Sequence, residues 1–179
     1  MSFNYDPDLV KYIENATRKA LKSLFDKHKE KFYYCTLATT GEGHCPVISA
    51  WSEEALERML VTEKDPDKIR REIEWSYADS PYFAYGEEFF VEVREVFLKR
   101  TKLINNDDEF QKEYEIRVNS MEKVMANLDK EGLFGEGNQR LSIVINAEVM
   151  PPDYTNTERA LRLNPREALT VWLEEVAEW

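Results

Sequence analysis

The chain has 179 residues, 24 of them basic and 35 acidic, for a formal charge of -11; 42% are apolar and 33% charged. That length and composition suit a folded, soluble domain able to bury its own core, and exclude a disordered chain. The negative charge excludes non-specific adhesion to nucleic acid or to an anionic membrane, both of which need positive potential.

Met1 to Asp8 carries neither the basic start nor the apolar run of a secretory signal, and no apolar stretch nears the ~18 residues that span a bilayer. Two cysteines, Cys35 and Cys45, are too few for a disulfide scaffold. A cytoplasmic protein with reduced thiols is expected. There is no internal repeat and no linker, so residues 1–179 are read as a single domain.

Asp6-Pro7-Asp8 opens the first helix, with Asp6 as cap and Pro7 at the first helical position. The helix is expected to run to about Lys31, with Leu9, Ile13, Ala16, Ala20 and Leu24 on one stripe. Residues 1–31 hold seven basic and five acidic side chains and form the one net-positive part of the chain. Residues 32–38 and 45–51 are rich in aromatic and β-branched types. A glycine-bearing turn separates them, which predicts a hairpin. Ser52 caps the next helix, with Glu53 and Glu54 in its first turn, and that helix should end before Pro66.

Asp65-Pro66 predicts a short helical turn. Residues 71–75 are read as a strand, because Ile73 and Trp75 alternate. Residues 76–86 form an aromatic loop. Residues 87–103 and 107–130 have helical period, and Gly132 follows the second helix as its terminating glycine. In residues 140–149, Leu141, Ile143, Ile145, Ala147 and Val149 alternate with mostly polar neighbours, which predicts a strand with one buried face. Asn164-Pro165-Arg166-Glu167 predicts a last helix capped by Asn164 and running to the C-terminus. Residues 105–108, 132–138 and 151–157 are read as the flexible points. The fold class is α+β, with a small, mostly antiparallel sheet of about four strands and long helices on one side.

Cys35, His44 and Cys45 invite a zinc site, but closely paired ligands are missing, so no metal is expected. Neither His28 nor His44 is placed against a cysteine as a catalytic base would be. Acidic pairs such as Glu53/Glu54, Glu87/Glu88 and Asp107/Asp108 sit mainly in first helical turns, where the helix dipole accounts for them. The glycines at 132, 135 and 137 follow a helix and precede a strand, the reverse of a phosphate-binding loop, so no nucleotide and no cofactor is expected. The aromatic segment with Trp75, Tyr77, Tyr82, Phe83 and Tyr85 stands beside Asp79, Glu87 and Glu88. It either packs under neighbouring helices or forms an interface.

FYYCTLATTGEGHCPVISAWSEEAL at 32–56 resembles the bacterial family known as domain of unknown function 4303, with its aromatic strand, glycine turn, return strand and Ser-Glu-Glu helix start. Trp75, Ser76, Ala78 and Asp79 are similar to that family's Trp-Ser-x-Ala-Asp-x-x-Tyr region, with Ser80 and Pro81 in place of bulkier residues. Leu163-Asn164-Pro165 also fits. The resemblance supplies no catalytic residues. It implies a place among candidate immunity proteins, which act by binding a toxin domain.

The leading expectation is a non-enzymatic protein-binding module. Trp75, Tyr77, Asp79, Tyr82 and Glu87 would contact a basic partner such as a toxin domain. The alternative is an enzyme or small-molecule binder with His44, Cys45, Asp79 and Glu54 gathered between sheet and helices. A homodimer through an exposed helix face is the third, with the oligomeric state left open.

Overall fold

The computed structural model describes residues 4–178. Its first helix, α1, spans Pro7–Lys27. Asp6 caps it, accepting the backbone N–H of Asp8 at 2.9 Å and of Leu9 at 3.1 Å. Leu9, Ile13, Ala16, Ala20 and Leu24 are buried, as their 3.6-residue period requires. The hairpin pairs β1 (Phe32–Thr40) with β2 (Val47–Ser52) in antiparallel register, Cys35 opposite Ala50 and Leu37 opposite Ile48. Ser52 ends β2 and caps α2 (Glu53–Leu60), its Oγ accepting the N–H of Ala55 at 3.0 Å.

Asp65 caps α3 (Pro66–Ile73), which corrects the strand read over 71–75. Five residues of alternation carry little information. The Asp-Pro start is the stronger local signal, and the helix it opens runs on to Ile73. After the aromatic loop come a 3-10 turn at Glu87–Phe90 and α4 (Val91–Thr101). α5 (Asp107–Lys130) is capped by Asn106 and stopped by Gly132. Gly132 has φ +76°. Leu133 N–H reaches Leu128 C=O at 3.1 Å, and Gly132 N–H reaches Asp129 C=O at 2.9 Å. Those two bonds are the Schellman pattern, which needs a left-handed residue where glycine stands.

The sheet differs from expectation. It has three strands in the order β2-β1-β3, and β3 (Val144–Met150) runs parallel to β1, with Cys35 beside Ile145 and Ala38 beside Glu148. Of its two strand pairings one is antiparallel and one parallel, so it is mixed. The hairpin fixes β1 against β2, but nothing local tells β3 which edge to join. Residues 140–142 form a 3-10 turn ahead of the strand.

β3 is buried on both faces. One face carries the apolar Cys35, Leu37, Ile48, Ala50, Ile145 and Ala147, all buried. α1 packs on α5, and these helices meet β2 and β3. The opposite face carries Tyr34, Thr36, Ser49, Trp51, Asn146 and Glu148. It is covered by the 75–80 segment: Trp75 stands edge-on to Tyr34, while Ser49 Oγ and Trp51 Nε1 donate to the carbonyls of Tyr77 and Ser76, each at 2.7 Å. The Tyr34 hydroxyl donates to Glu148, whose carboxyl burial pushes above its ordinary range.

Exposed strand edges invite wrong pairing, and both edges here are closed. The β2 edge is met by the aromatic loop: Ala84 N–H bonds Ile48 C=O at 2.9 Å, and Ser80 Oγ donates to Ala50 C=O. The β3 edge is met by α6 (Tyr154–Leu163), a helix lying partly in residues 151–157, where the sequence predicts a flexible segment. Asp153 caps it, accepting Thr155 N–H at 2.9 Å. Asn156 accepts Val149 N–H at 2.8 Å and donates to Val149 C=O at 2.9 Å. Asn164 accepts Ile145 N–H at 2.9 Å and donates to Ile145 C=O at 2.7 Å. Arg159 Nε donates to Ala147 C=O at 2.6 Å. Each asparagine amide turns a donor and an acceptor towards the strand, as a neighbouring strand's peptide group would.

Asn164 is therefore engaged on β3 and does not cap the last helix, as the Asn-Pro signal suggested. A 3-10 turn at Arg166–Leu169 leads without a side-chain cap into α7 (Thr170–Glu175). Among the described residues no helix is long and apolar enough to cross a membrane.

Candidate functional site

The five side chains expected to make contacts do not share one environment. Tyr82 is buried, with 5% of its surface exposed. Trp75 and Tyr77 are half-buried, Asp79 and Glu87 exposed. Trp75 Nε1 donates to Glu175 at 2.8 Å, and its ring stands perpendicular to that of Tyr33, centroids 5.3 Å apart. Tyr77 lies against Phe83, centroids 5.8 Å apart, and Phe83 is 46% exposed. Asp79 accepts from the Ser76 hydroxyl. Much of the loop thus serves the β2 edge, and what it presents outward is Phe83, Asp79 and part of Tyr77.

The Tyr82 hydroxyl belongs to a polar knot around Glu30, in the connection between α1 and β1. Glu30 accepts from Tyr82 at 2.7 Å and from Ser52 Oγ, and pairs with Arg58 at 2.8 Å. Arg58 also donates to the Tyr82 hydroxyl at 3.1 Å, and His28 Nδ1 lies 3.3 Å from it. Burial works to raise the Glu30 pKa, but the hydrogen bonds from Arg58, Ser52 and Tyr82 outweigh it and hold the carboxyl down to about 2. Burial and the Glu30 carboxylate push Tyr82 up to about 12. The knot is a fixed ion pair within hydrogen-bonding groups. It ties α2 and the aromatic loop to the end of α1. Sequence reading missed it because its members come from four separate segments.

Two clefts open beside the knot, at the end of the sheet where β1 and β3 begin. One, of about 410 Å³, lies between Phe25, Phe32, Leu133 and Phe134, with His28, Lys29 and Lys31 on its polar side. The other, of about 440 Å³, is lined by Leu56, Trp75, Val144 and Val171 together with Glu57 and Glu74. Tyr33, Glu53 and Ser142 border both.

A different surface follows the aromatic loop. Glu87 and Glu88 stand in the 3-10 turn, Glu92 and Glu95 on α4, and all four are exposed. None of them makes an ion pair among the described residues. Val91 and Leu98, on the same outer side of α4, are 49% and 58% exposed. Elsewhere some carboxylates are paired, Glu14 and Glu131 with Arg18, Asp6 and Glu113 with Arg100 and Glu122 with Arg162. The segment from Asp79 to Leu98 combines an excess of negative charge, five carboxylates against Arg94, with exposed apolar side chains.

The groups named for an enzyme are not gathered. His44 is exposed at the hairpin turn, its Nδ1 2.9 Å from Thr40 Oγ1. Cys45 is half-buried beside Pro46, Ala84 and Phe90. Glu54 accepts the N–H of Lys31 at 2.8 Å, and Asp79 lies in the aromatic loop. Burial pushes the Cys35 thiol up to about 12 and the Cys45 thiol to about 11, so both are protonated at neutral pH and poor nucleophiles. Among the described residues, no three His, Cys, Asp or Glu side chains are grouped as metal ligands.

The profile of the family described as "Domain of unknown function (DUF4303)" matches residues 13–165, and the chain belongs to that family. No curated protein and no solved structure matches the chain.

Proposed function

We propose that this member of the DUF4303 family is a protein-binding module that docks a basic partner, as an immunity protein covers a toxin domain. The observation that carries the reading is the row of exposed carboxylates without an ion pair at Glu87, Glu88, Glu92 and Glu95, which outnumber the one cation among them, Arg94, and run with exposed Val91 and Leu98 after exposed Phe83. Apolar groups give contact area, and uncompensated charge of one sign steers an oppositely charged protein and disfavours acidic ones. Asp79 and Tyr77 border this row from the aromatic loop. The net charge of -11 extends the same field over the molecule. Docking over a basic active site would block it sterically, with no chemistry required of this chain.

The test uses the intact protein and a variant carrying E87K, E88K, E92K and E95K, each tagged and used to capture proteins from the native host. The wild type should retain a stoichiometric basic partner that the variant loses. The association rate of that partner should fall about tenfold or more between low and physiological salt. Retention by both proteins alike, or an association rate insensitive to salt, would overturn the reading.

A further inference from the structure

The cleft of about 440 Å³ between α2, α3 and α7 is of ligand size. Its apolar lining is Leu56, Val144, Ala168 and Val171. Tyr33 and Trp75 stand perpendicular within it, so where one offers a ring edge the other offers a face. Three carboxylates, Glu53, Glu57 and Glu74, line it against one arginine, Arg70.

Neutralisation is uneven. Arg70 pairs with Glu57, and Lys31 reaches Glu53 at 3.5 Å. Glu74 has no ion pair among the described residues, and beside it stands Glu175, which accepts the Trp75 indole N–H at 2.8 Å. Burial and the nearness of Glu175 raise the Glu74 pKa, and Arg70, already paired with Glu57, only partly offsets them. Two adjacent carboxylates beside an aromatic pair form an arrangement that a cation would relieve.

We infer that this cleft binds an organic monocation, an alkylammonium or alkylguanidinium, with the charged head between Glu74, Glu175 and the Tyr33–Trp75 pair and the aliphatic stem along Leu56, Val144 and Val171. An anion is disfavoured by the carboxylates, and a neutral alcohol leaves them uncompensated. The inference does not rest on the docking reading, because it uses none of the residues on the outer side of α4.

The probes are butylguanidinium and butylammonium, with butanol and butyrate as neutral and anionic counterparts. Each is titrated into the full chain while the Trp75 indole N–H resonance is followed by NMR. The two cations should give saturable shifts, and the two counterparts should not. E74Q and E175Q should each weaken cation binding about fivefold or more. Unchanged resonances of the Trp51 and Trp172 indoles would show that each variant is folded, and having two isosteric variants guards against one of them misfolding. A capped arginine amide, compared with butylguanidinium, separates the sources of the cation. Tighter binding of the amide points to a side chain of a partner, and tighter binding of the butyl compound to a free small molecule. No saturable cation binding, equal binding of butanol or butyrate, or cation binding unchanged in both glutamine variants would overturn the inference. None of these results bears on the charge-reversed α4 variant, so the two readings fail separately.

Discussion

Replacing Asn164 by alanine probes the way the β3 edge is closed. The amide makes four bonds: from Ile145 N–H at 2.9 Å, to Ile145 C=O at 2.7 Å, to Ala160 C=O at 2.9 Å, and from Arg140 Nη2 at 3.1 Å. Ile145 is fully buried. In N164A its N–H and C=O both lose their outer partner where water has little access, and each stranded buried group costs about 1–3 kcal/mol. The expected loss is about 3–5 kcal/mol, a large share of the roughly 5–15 kcal/mol that holds such a domain together. With a urea m value of about 2 kcal/mol/M, the midpoint should fall by about 2 M. N164D keeps an acceptor for Ile145 N–H and for Arg140 but sets an oxygen against Ile145 C=O, so it should fall between wild type and N164A. N119A removes one exposed bond, to Asn4 C=O at 3.0 Å, and should lie within about 0.5 kcal/mol of wild type. Urea unfolding at equilibrium measures all three, and hydrogen exchange at Ile145 localises the effect. A loss below about 1 kcal/mol in N164A, or an N164D protein as stable as wild type, would refute the edge argument.

Glu30 titrates lower in the folded protein, about 2, than the ordinary carboxyl value of 4.5. Its contribution is therefore fully present above the unfolded value and is lost as pH falls through the folded one. The melting-temperature gap between wild type and E30Q should narrow as the pH is lowered across that window, and a gap that does not change with pH contradicts the assignment. At Gly86, φ is +70° and an added Cβ would lie 2.8 Å from Ala20 Cβ, against α1. G86A should cost about 2 kcal/mol or more by thermal or urea unfolding, and a neutral substitution would show that the contact gives way. Because burial holds both thiols protonated, Cys35 and Cys45 should react slowly with a thiol reagent at neutral pH and quickly in urea. Rapid native labelling of either would argue against its burial.

Much of the helical framework was legible because its signals are short-range. Asp6, Ser52, Asp65 and the Gly132 turn all act within four residues of their own position, and each does what its residue type and place imply. The failures have a common cause. α6 escaped notice because its buried side includes Asn156, Thr157 and Arg159, so apolar periodicity does not mark it. Its polar residues face a strand edge that needs hydrogen bonds. The candidate site was partly legible: acidity and aromatic residues between 75 and 95 were visible, but not which of them point outward. Tyr82 and Phe83 are adjacent and similar in type, yet one is tied to Glu30 in the interior and the other is exposed.

The sequence by itself determined where α1, α2, α3 and α5 begin, where α5 ends, the β1–β2 hairpin, and the excess of negative charge, since each depends on neighbours along the chain or on composition alone. Only the tertiary structure decided that β3 lies parallel to β1, that asparagine amides close its edge, that Glu30 gathers Ser52, Arg58 and Tyr82, and that Glu74 comes to stand beside Glu175. These depend on contacts between residues far apart in the chain, and such contacts leave no local pattern because the whole core selects them at once.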